Sequence, residues 1–492
     1  MLVAEGVGAL NVPLDLTAIL AFLVVWYLLV RGWEASGRLD RWNARRMLGF
    51  VLMVRTSMGQ RLLERMASPR RFWRWYGEAC LWICWASMGI VGLFLLLAVV
   101  ALITMPPQEA TIPASQLLVV SVPGLSPVFP LGWGLFALIV TLVIHEFGHG
   151  LLARAHGMRV RSFGALVVGP LPLGAFAEPQ AEELMRAPPR ERQRIFAAGP
   201  GTNIFASMLL LLLLGFAGHH IVASDDGVYA QGIVVDSAAQ EAGFGPYDVL
   251  QSIDGNVILD AASFSDLMQD YTAGQEVILT YLDHETGSEV TASATLGDKH
   301  AHYIESGASE EGLVAAGIEP GDAFLGVSGL TSTTQGIDRL VGPMDSSLDL
   351  TFGERLLRLP IQMLILISVP IDNGGISMLP EERSMLTSAD TFVGNLFGMG
   401  GLMFLVNMAF WLIWLNILLG FTNLIPMVPF DGGHIFRDMV HAALTRIRSI
   451  GRRFGTWDLR PITIERLSSK ASSLSSAILL VVLVAMVAIP YL

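Results

Sequence analysis

The stretch VIHEFGHGLLAR, residues 143–154, sets two histidines and a glutamate inside otherwise apolar text. On a helix His145 and His149 are four positions apart and project from one face, so both imidazoles reach a single zinc ion. Glu146 sits beside that face, where its carboxylate can serve as the base toward an attacking water. Metal-assisted hydrolysis is the chemistry this spacing suits. An ionisable side chain inside a membrane helix costs at least ~2.5 kcal/mol by insertion scales, so three close together are expected to be functional.

A tetrahedral catalytic zinc takes three protein ligands and keeps one open position. The third is sought on a polar residue flanked by apolar text. In NLIPMVPFDGGHIF, residues 423–436, a helix is expected to end near Gly420, two prolines break the backbone, and Asp431 follows. Asp431 is the expected third ligand. His434 is its rival, either as a ligand or as a group supporting one.

The elements that must position these residues read as membrane spans. The chain has 492 residues, 53% hydrophobic and 15% charged, with mean hydropathy +0.56. That is too apolar for a soluble globule and too polar for a bare helix bundle. Apolar runs at 14–30, 81–103, 131–152, 195–216 and 396–419 approach or exceed the length needed to cross roughly 30 Å of hydrocarbon. A sixth, 477–489, is short but extends back through serines to Ser472. The first run starts too far inside and lacks a small-residue cleavage site, so it is read as a retained helix. Cys80 and Cys84, one helical turn apart, read as buried thiols.

Orientation follows from charge. Eleven arginines at 31–74, seven at 154–194 and eight basic residues at 437–470 predict cytoplasmic segments. Between 219 and 391 there are 27 acidic and 5 basic residues, against 16 acidic and 26 basic elsewhere, which predicts an extracytoplasmic block. The histidines then lie toward the cytoplasmic end of the third run, in a multi-pass protein of the cell membrane. LLRLPIQMLILISVPI, residues 356–371, is short and holds Pro360 and Pro370, so it is expected to re-enter or lie at the outer interface.

Inside the acidic block, GIVVD, VILTYL and VTASATL alternate in the manner of strands, with a helix expected at 263–270. Through DSAAQEAGFGPYDVLQSIDGNVI and AGQEVILTYL this module resembles a PDZ domain. The resemblance implies binding of an extended peptide or a C-terminus by strand addition. EAGFGPYDVLQSIDG and AAGIEPGDAFLGVSG echo one another at an offset of 74, which raises a second, degenerate PDZ-like half.

The expected fold is thus a polytopic α-helical membrane protein of about six transmembrane helices, with an extracytoplasmic α+β PDZ-like domain inserted between core helices. Residues 1–130 form an N-terminal membrane region of two helices and an arginine-rich link. Residues 131–222 and 395–441 are the two halves of the core, and 223–300 is the PDZ-like domain. Residues 301–394 are an extracytoplasmic linker, and 442–492 a cytoplasmic link with the closing helix.

HEFGHGLLAR together with NLIPMVPFDGG resembles the site-2 protease family of intramembrane zinc metalloproteases, over roughly residues 131–441. The resemblance implies one zinc ion per chain on His145, His149 and Asp431, with Glu146 as general base. It also implies that Asn203, in AAGPGTN, lies near the metal and supports substrate or oxyanion binding. VVGPLPLGAFAEP, residues 167–179, is similar to the family's membrane-dipping β-hairpin, which implies substrate contacts at Gly174, Ala175 and Phe176, with Asn423 added from the second motif. Phe430 stands where the family usually has leucine, and residues 1–130 lie outside the matched core.

The expected activity is cleavage of single-pass membrane proteins in or near their membrane segments, with the PDZ-like domain gating substrates. The expected partners are those substrates, a peptide or C-terminus at the PDZ-like domain, and the lipid bilayer, with no nucleic acid. A membrane-anchored PDZ scaffold with a non-proteolytic metal site is the alternative of a different class. A membrane-anchored peptidase acting on soluble peptides is the alternative within enzymes.

Overall fold

The computed structural model describes residues 16–47, 49–56, 60–104, 128–169, 171–345 and 348–489. They divide into two compact units, one of residues 1–210, 363–375 and 411–492, the other of residues 211–362 and 376–410.

In the first unit, helix α1 (Leu16–Ala35) covers most of the first apolar run; residues 14 and 15 of that run lie outside the described residues. Strands β1 (Ala44–Met47) and β2 (Val51–Thr56) follow, then helices α2 (Gln60–Ala67), α3 (Arg70–Thr104) and α4 (Leu131–Ala155). Strands β3 (Val160–Val168) and β4 (Leu171–Pro179) form a hairpin, and α5 (Pro189–Gly218) leads out of the unit. The chain continues through α6 (Phe352–Asp372), α7 (Phe392–Thr422), α8 (Asp431–Phe454) and α9 (Pro461–Ala488). Among the described residues five helices are long and apolar enough to cross a membrane: α3, α4, α5, α7 and α9. The protein is a membrane protein that carries a sheet-containing region.

Small residues bring the helices of this unit together. A Cβ on Gly148 of α4 would lie 2.7 Å from the Ala198 carbonyl oxygen and the Thr202 hydroxyl of α5. One on Gly201 of α5 would lie 2.6 Å from Cys80 Cβ on α3. Cys80 and Cys84 are both buried free thiols, and Cys84 donates to the Ala197 carbonyl at 3.4 Å. Such close backbone approach is the usual means of helix association in lipid. Buried polar groups pair across the helices, as where Asn416 on α7 donates to Thr141 on α4 at 2.9 Å.

The hairpin expected at 167–179 is present and larger than expected. Strand β3 pairs antiparallel with β4 on one side and with β2 on the other, giving the order β1-β2-β3-β4. The N-terminal region therefore contributes two strands to the sheet that holds the hairpin. Segment 356–371 is the one expected to re-enter or lie at the outer interface. It lies within the unbroken 21-residue helix α6, with Pro360 and Pro370 inside. The buried stripe of Leu359, Met363, Leu366 and Val369 holds it helical despite the two missing N–H donors. It is not among the five candidate spans.

The second unit is built on a sheet in which Glu289–Thr295, Glu276–Leu282, Val249–Ile253, Val228–Tyr229 and Thr331–Ser332 follow one another, each antiparallel to the next. The expected helix runs Ala261–Met268, opened by a capping box in which Asp260 and Ser263 exchange hydrogen bonds. The sheet continues past residue 300, and its core includes Ala323 and Leu325. The echo at offset 74 is a repeated local structure. Gly243 and Gly317 turn at φ 73° and 69°, and Asp248 and Asp322 each accept from the backbone N–H three residues earlier, at 2.7 and 2.8 Å. In the second copy Ala323–Phe324 pairs with Gly297–Asp298, and Val327–Ser328 pairs with Gly232–Ile233, which precedes the first copy.

Candidate metal centre

Helix α4 presents His145 and His149 with their Nε2 atoms 3.2 Å apart. Asp431, the first residue of α8, places Oδ2 3.3 Å from His145 Nε2 and 3.2 Å from His149 Nε2. Four tetrahedral bonds of about 2.05 Å set their donor atoms about 3.3 Å apart, so this near-equilateral triangle has the dimensions of one face of a zinc tetrahedron. The chemistry of the donor set agrees, being two imidazoles and one carboxylate. Space agrees as well. A Cβ on Gly199 of α5 would collide with Nε2 of both histidines, so only glycine leaves that side of the triangle open.

A histidine ligates through Nε2 only when Nδ1 carries the proton, and the second nitrogen's partner decides that. His149 Nδ1 lies 2.7 Å from the Ile195 carbonyl, which can only accept, so Nδ1–H donates and Nε2 is left with its lone pair. His145 Nδ1 lies 3.1 Å from Asn203 Nδ2, the amide nitrogen. With the amide oxygen turned to the ring, Nδ1–H donates to it and Nε2 is again free. The same orientation satisfies an Asn203 oxygen that otherwise has no hydrogen-bond partner in a fully buried side chain. His149 is thereby set to offer Nε2, and His145 does so in the turned orientation of Asn203.

Glu146, partly buried, accepts from the Ala177 N–H of β4 at 2.6 Å. This bond ties the carboxylate next to the metal donors to the edge of the sheet. Gly174, Ala175 and Phe176 lie on β4, paired with Leu166, Ala165 and Gly164 of β3. Their other edge has no strand partner among the described residues. Asn423 follows the end of α7, at the start of the loop before Asp431. Its amide donates to the Leu419 carbonyl at 3.1 Å and its carbonyl accepts from Gly432 at 2.7 Å, so it shapes the loop before Asp431. His434, the rival ligand, stands outside the triangle and stacks on Phe196, with ring centroids 4.5 Å apart.

Sequence reasoning missed the braces of this loop. Arg192 on α5 grips Asp438 on α8 through two bonds of 2.9 and 2.6 Å, two turns beyond Asp431. Serines of α9 bond to the loop backbone: Ser475 donates to Pro426, Ser472 to Gly433, and Ser476 accepts from Val428 N–H. Gly432 and Gly433 are required because a Cβ on either would meet the backbone of residues 424–428 within 2.6 Å. The Gly-Gly pair was the only signal of this crowding in the text.

A profile of peptidase family M50 matches residues 133–455, about two thirds of the chain. The chain belongs to peptidase family M50. This M50 chain is 26% identical to the zinc metalloprotease Rip1 of Mycobacterium tuberculosis over 390 residues, 66% of this chain and 88% of Rip1. It is 28% identical to an uncharacterized protein of Methanocaldococcus jannaschii over 213 residues, 42% of this chain and 53% of the relative. A putative zinc metalloprotease of Neisseria meningitidis is 26% identical over 240 residues, 40% of this chain and 53% of the relative. The match thus spans about half the length of the archaeal and neisserial relatives. The M50 profile takes in the two histidines, Glu146, Asn203 and Asp431, and ends at the close of α8.

Proposed function

We propose that this protein is a site-2-type intramembrane zinc metalloprotease. The observation that carries the proposal is the donor triangle of His145, His149 and Asp431, with edges of 3.2–3.3 Å, at the end of a helix long enough to cross a membrane. Zinc held there would supply Lewis acidity to the attacking water and the scissile carbonyl. The chain's own residues do the rest. Glu146 takes the proton of the attacking water and returns it to the leaving amine. The unpaired edge of β4, at Gly174, Ala175 and Phe176, holds the substrate as an added strand, because a helical peptide bond is shielded by its own hydrogen bonds. Asn203 orients His145, and its NH₂ group remains for the substrate carbonyl.

The substrates are single-pass membrane proteins, and the acidic second unit is an extracytoplasmic PDZ-like domain that gates their entry. What supports its placement is the charge division between residues 219–391 and the arginine-rich links. The test is cleavage of a transmembrane reporter by the full chain in proteoliposomes. Glu146→Gln abolishes cleavage while zinc content stays stoichiometric. Full activity in that variant overturns the mechanism, and full activity without metal overturns the class.

A further inference from the structure

Beside Glu146 the first unit holds an apolar cavity of ≈ 420 Å³. Its walls come from three places in the sequence. Helix α4 supplies Glu146 and Phe147, the hairpin supplies Phe163 and Phe176, and the N-terminal region supplies Val54 of β2 and Leu62 of α2. The N-terminal wall is fixed in place. Val54 is in register with Ala165 across the β2–β3 pairing, and Leu63 of α2 packs with Leu151, Phe147 and Phe163. The aromatic side is fixed too, because Phe147 and Phe163 stack at 6.4 Å. The Phe176 ring lies over Gly164, where any Cβ would collide with it.

The position of this cavity decides what fills it. Glu146 lies in its wall and also receives the Ala177 N–H of β4. A peptide paired to the edge of β4 and reaching the proposed base therefore has the residue adjoining its scissile bond at the cavity mouth. A strand projects alternate side chains to the same face, so one such residue is directed inward while its neighbours are not. The volume takes an aromatic or large aliphatic side chain. A charged one would lose its water to a lining whose only polar side chains among the described residues are Glu146 and Thr56.

We infer that the N-terminal strand β2 and helix α2 complete a specificity pocket that selects a bulky apolar residue next to the scissile bond. The inference rests on the protease reading above, and it gives the region before the family match a function in substrate choice.

The test uses phosphinic pseudopeptides, in which a zinc-binding phosphinate replaces the scissile bond and the side chains on its two sides are varied independently. Hydrogen, methyl, isobutyl and benzyl form the series. Binding to the zinc-loaded full chain in detergent is read by displacement of a fluorescent phosphinate. On one side of the phosphinate, benzyl is expected to bind at least tenfold more tightly than hydrogen. Val54→Trp and Leu62→Trp fill the cavity from two elements and reduce that ratio below threefold. Leu62 is 56% exposed, so its variant keeps the fold if the strand variant does not. Absence of a preference on either side, or a preference unchanged in both variants, overturns the pocket. Absence of any zinc-dependent phosphinate binding overturns the protease reading itself.

Discussion

Each imidazole at the centre has one nitrogen toward the metal position and one toward a fixed acceptor. For His149 that acceptor is the Ile195 carbonyl, and for His145 it is the Asn203 amide oxygen once the amide is turned so that its oxygen, not Nδ2, faces the ring. The spacing of His145, Glu146 and His149 was legible because a helix makes i and i+4 neighbours. The acceptors were not legible, since a backbone carbonyl has no residue type and an asparagine 58 positions away has no periodic relation to its ring. Asn203→Leu removes the acceptor and is expected to weaken zinc binding by about 10–100-fold, while Asn203→Asp restores it. Titration against a chromogenic chelator measures this. If the leucine variant keeps wild-type zinc affinity and loses only turnover, Asn203 serves the substrate and not the ring.

At the scale of elements, the membrane helices were readable from apolar runs, and the hairpin from its resemblance to the family's membrane-dipping hairpin. The four-stranded sheet was not, because β2 meets β3 about 110 residues on, and local pattern does not encode a distant pairing partner. The Arg192–Asp438 grip was also hidden, yet it fixes α8 and with it Asp431. Asp438 is nearly fully buried, so Asp438→Ala leaves an uncompensated guanidinium and costs about 3–5 kcal/mol. The expected result is a lower thermal midpoint together with weaker zinc retention. Loss of stability with zinc affinity intact would separate the grip from the metal centre.

A titration in the second unit gives a further prediction at this scale. Asp338 sits in the helix Gln335–Val341. Burial, with the charge of Asp345, pushes its carboxyl up from 3.8 to about 6, against the opposing bond from the Thr334 hydroxyl. The folded state therefore holds this proton more tightly than the unfolded state. The stability it confers is present below the unfolded value and is lost as pH rises through about 6, a penalty at neutral pH of at most about 3 kcal/mol before solvent screening. Asp338→Asn is expected to raise the unfolding midpoint of the full chain at pH 7.5 and leave it nearly unchanged at pH 4. Equal effects at both pH values would remove Asp338 as the cause.

For the whole molecule, the donor triangle constrains topology more tightly than hydropathy does. His145 and His149 lie at the C-terminal end of α4, and Asp431 follows the C-terminal end of α7. Their meeting at 3.2–3.3 Å requires an even number of crossings between them. Helices α5 and α7 are candidates for two, and a full crossing by α6 would make three, so the proposed topology keeps α6 on one side despite its apolar text. On the proposed orientation the segment of 27 acidic and 5 basic residues lies outside and the arginine-rich links within. Hydropathy alone left α6 undecided because its buried stripe and its exposed Leu357, Ile361 and Ile365 are both apolar. With Cys80 and Cys84 replaced by alanine, Glu285→Cys and Asn373→Cys are expected to react with an impermeant maleimide on intact cells. Arg453→Cys should react only after permeabilisation. Labelling of residue 373 from the same side as 453 would make α6 a crossing and would break the parity that joins Asp431 to the two histidines.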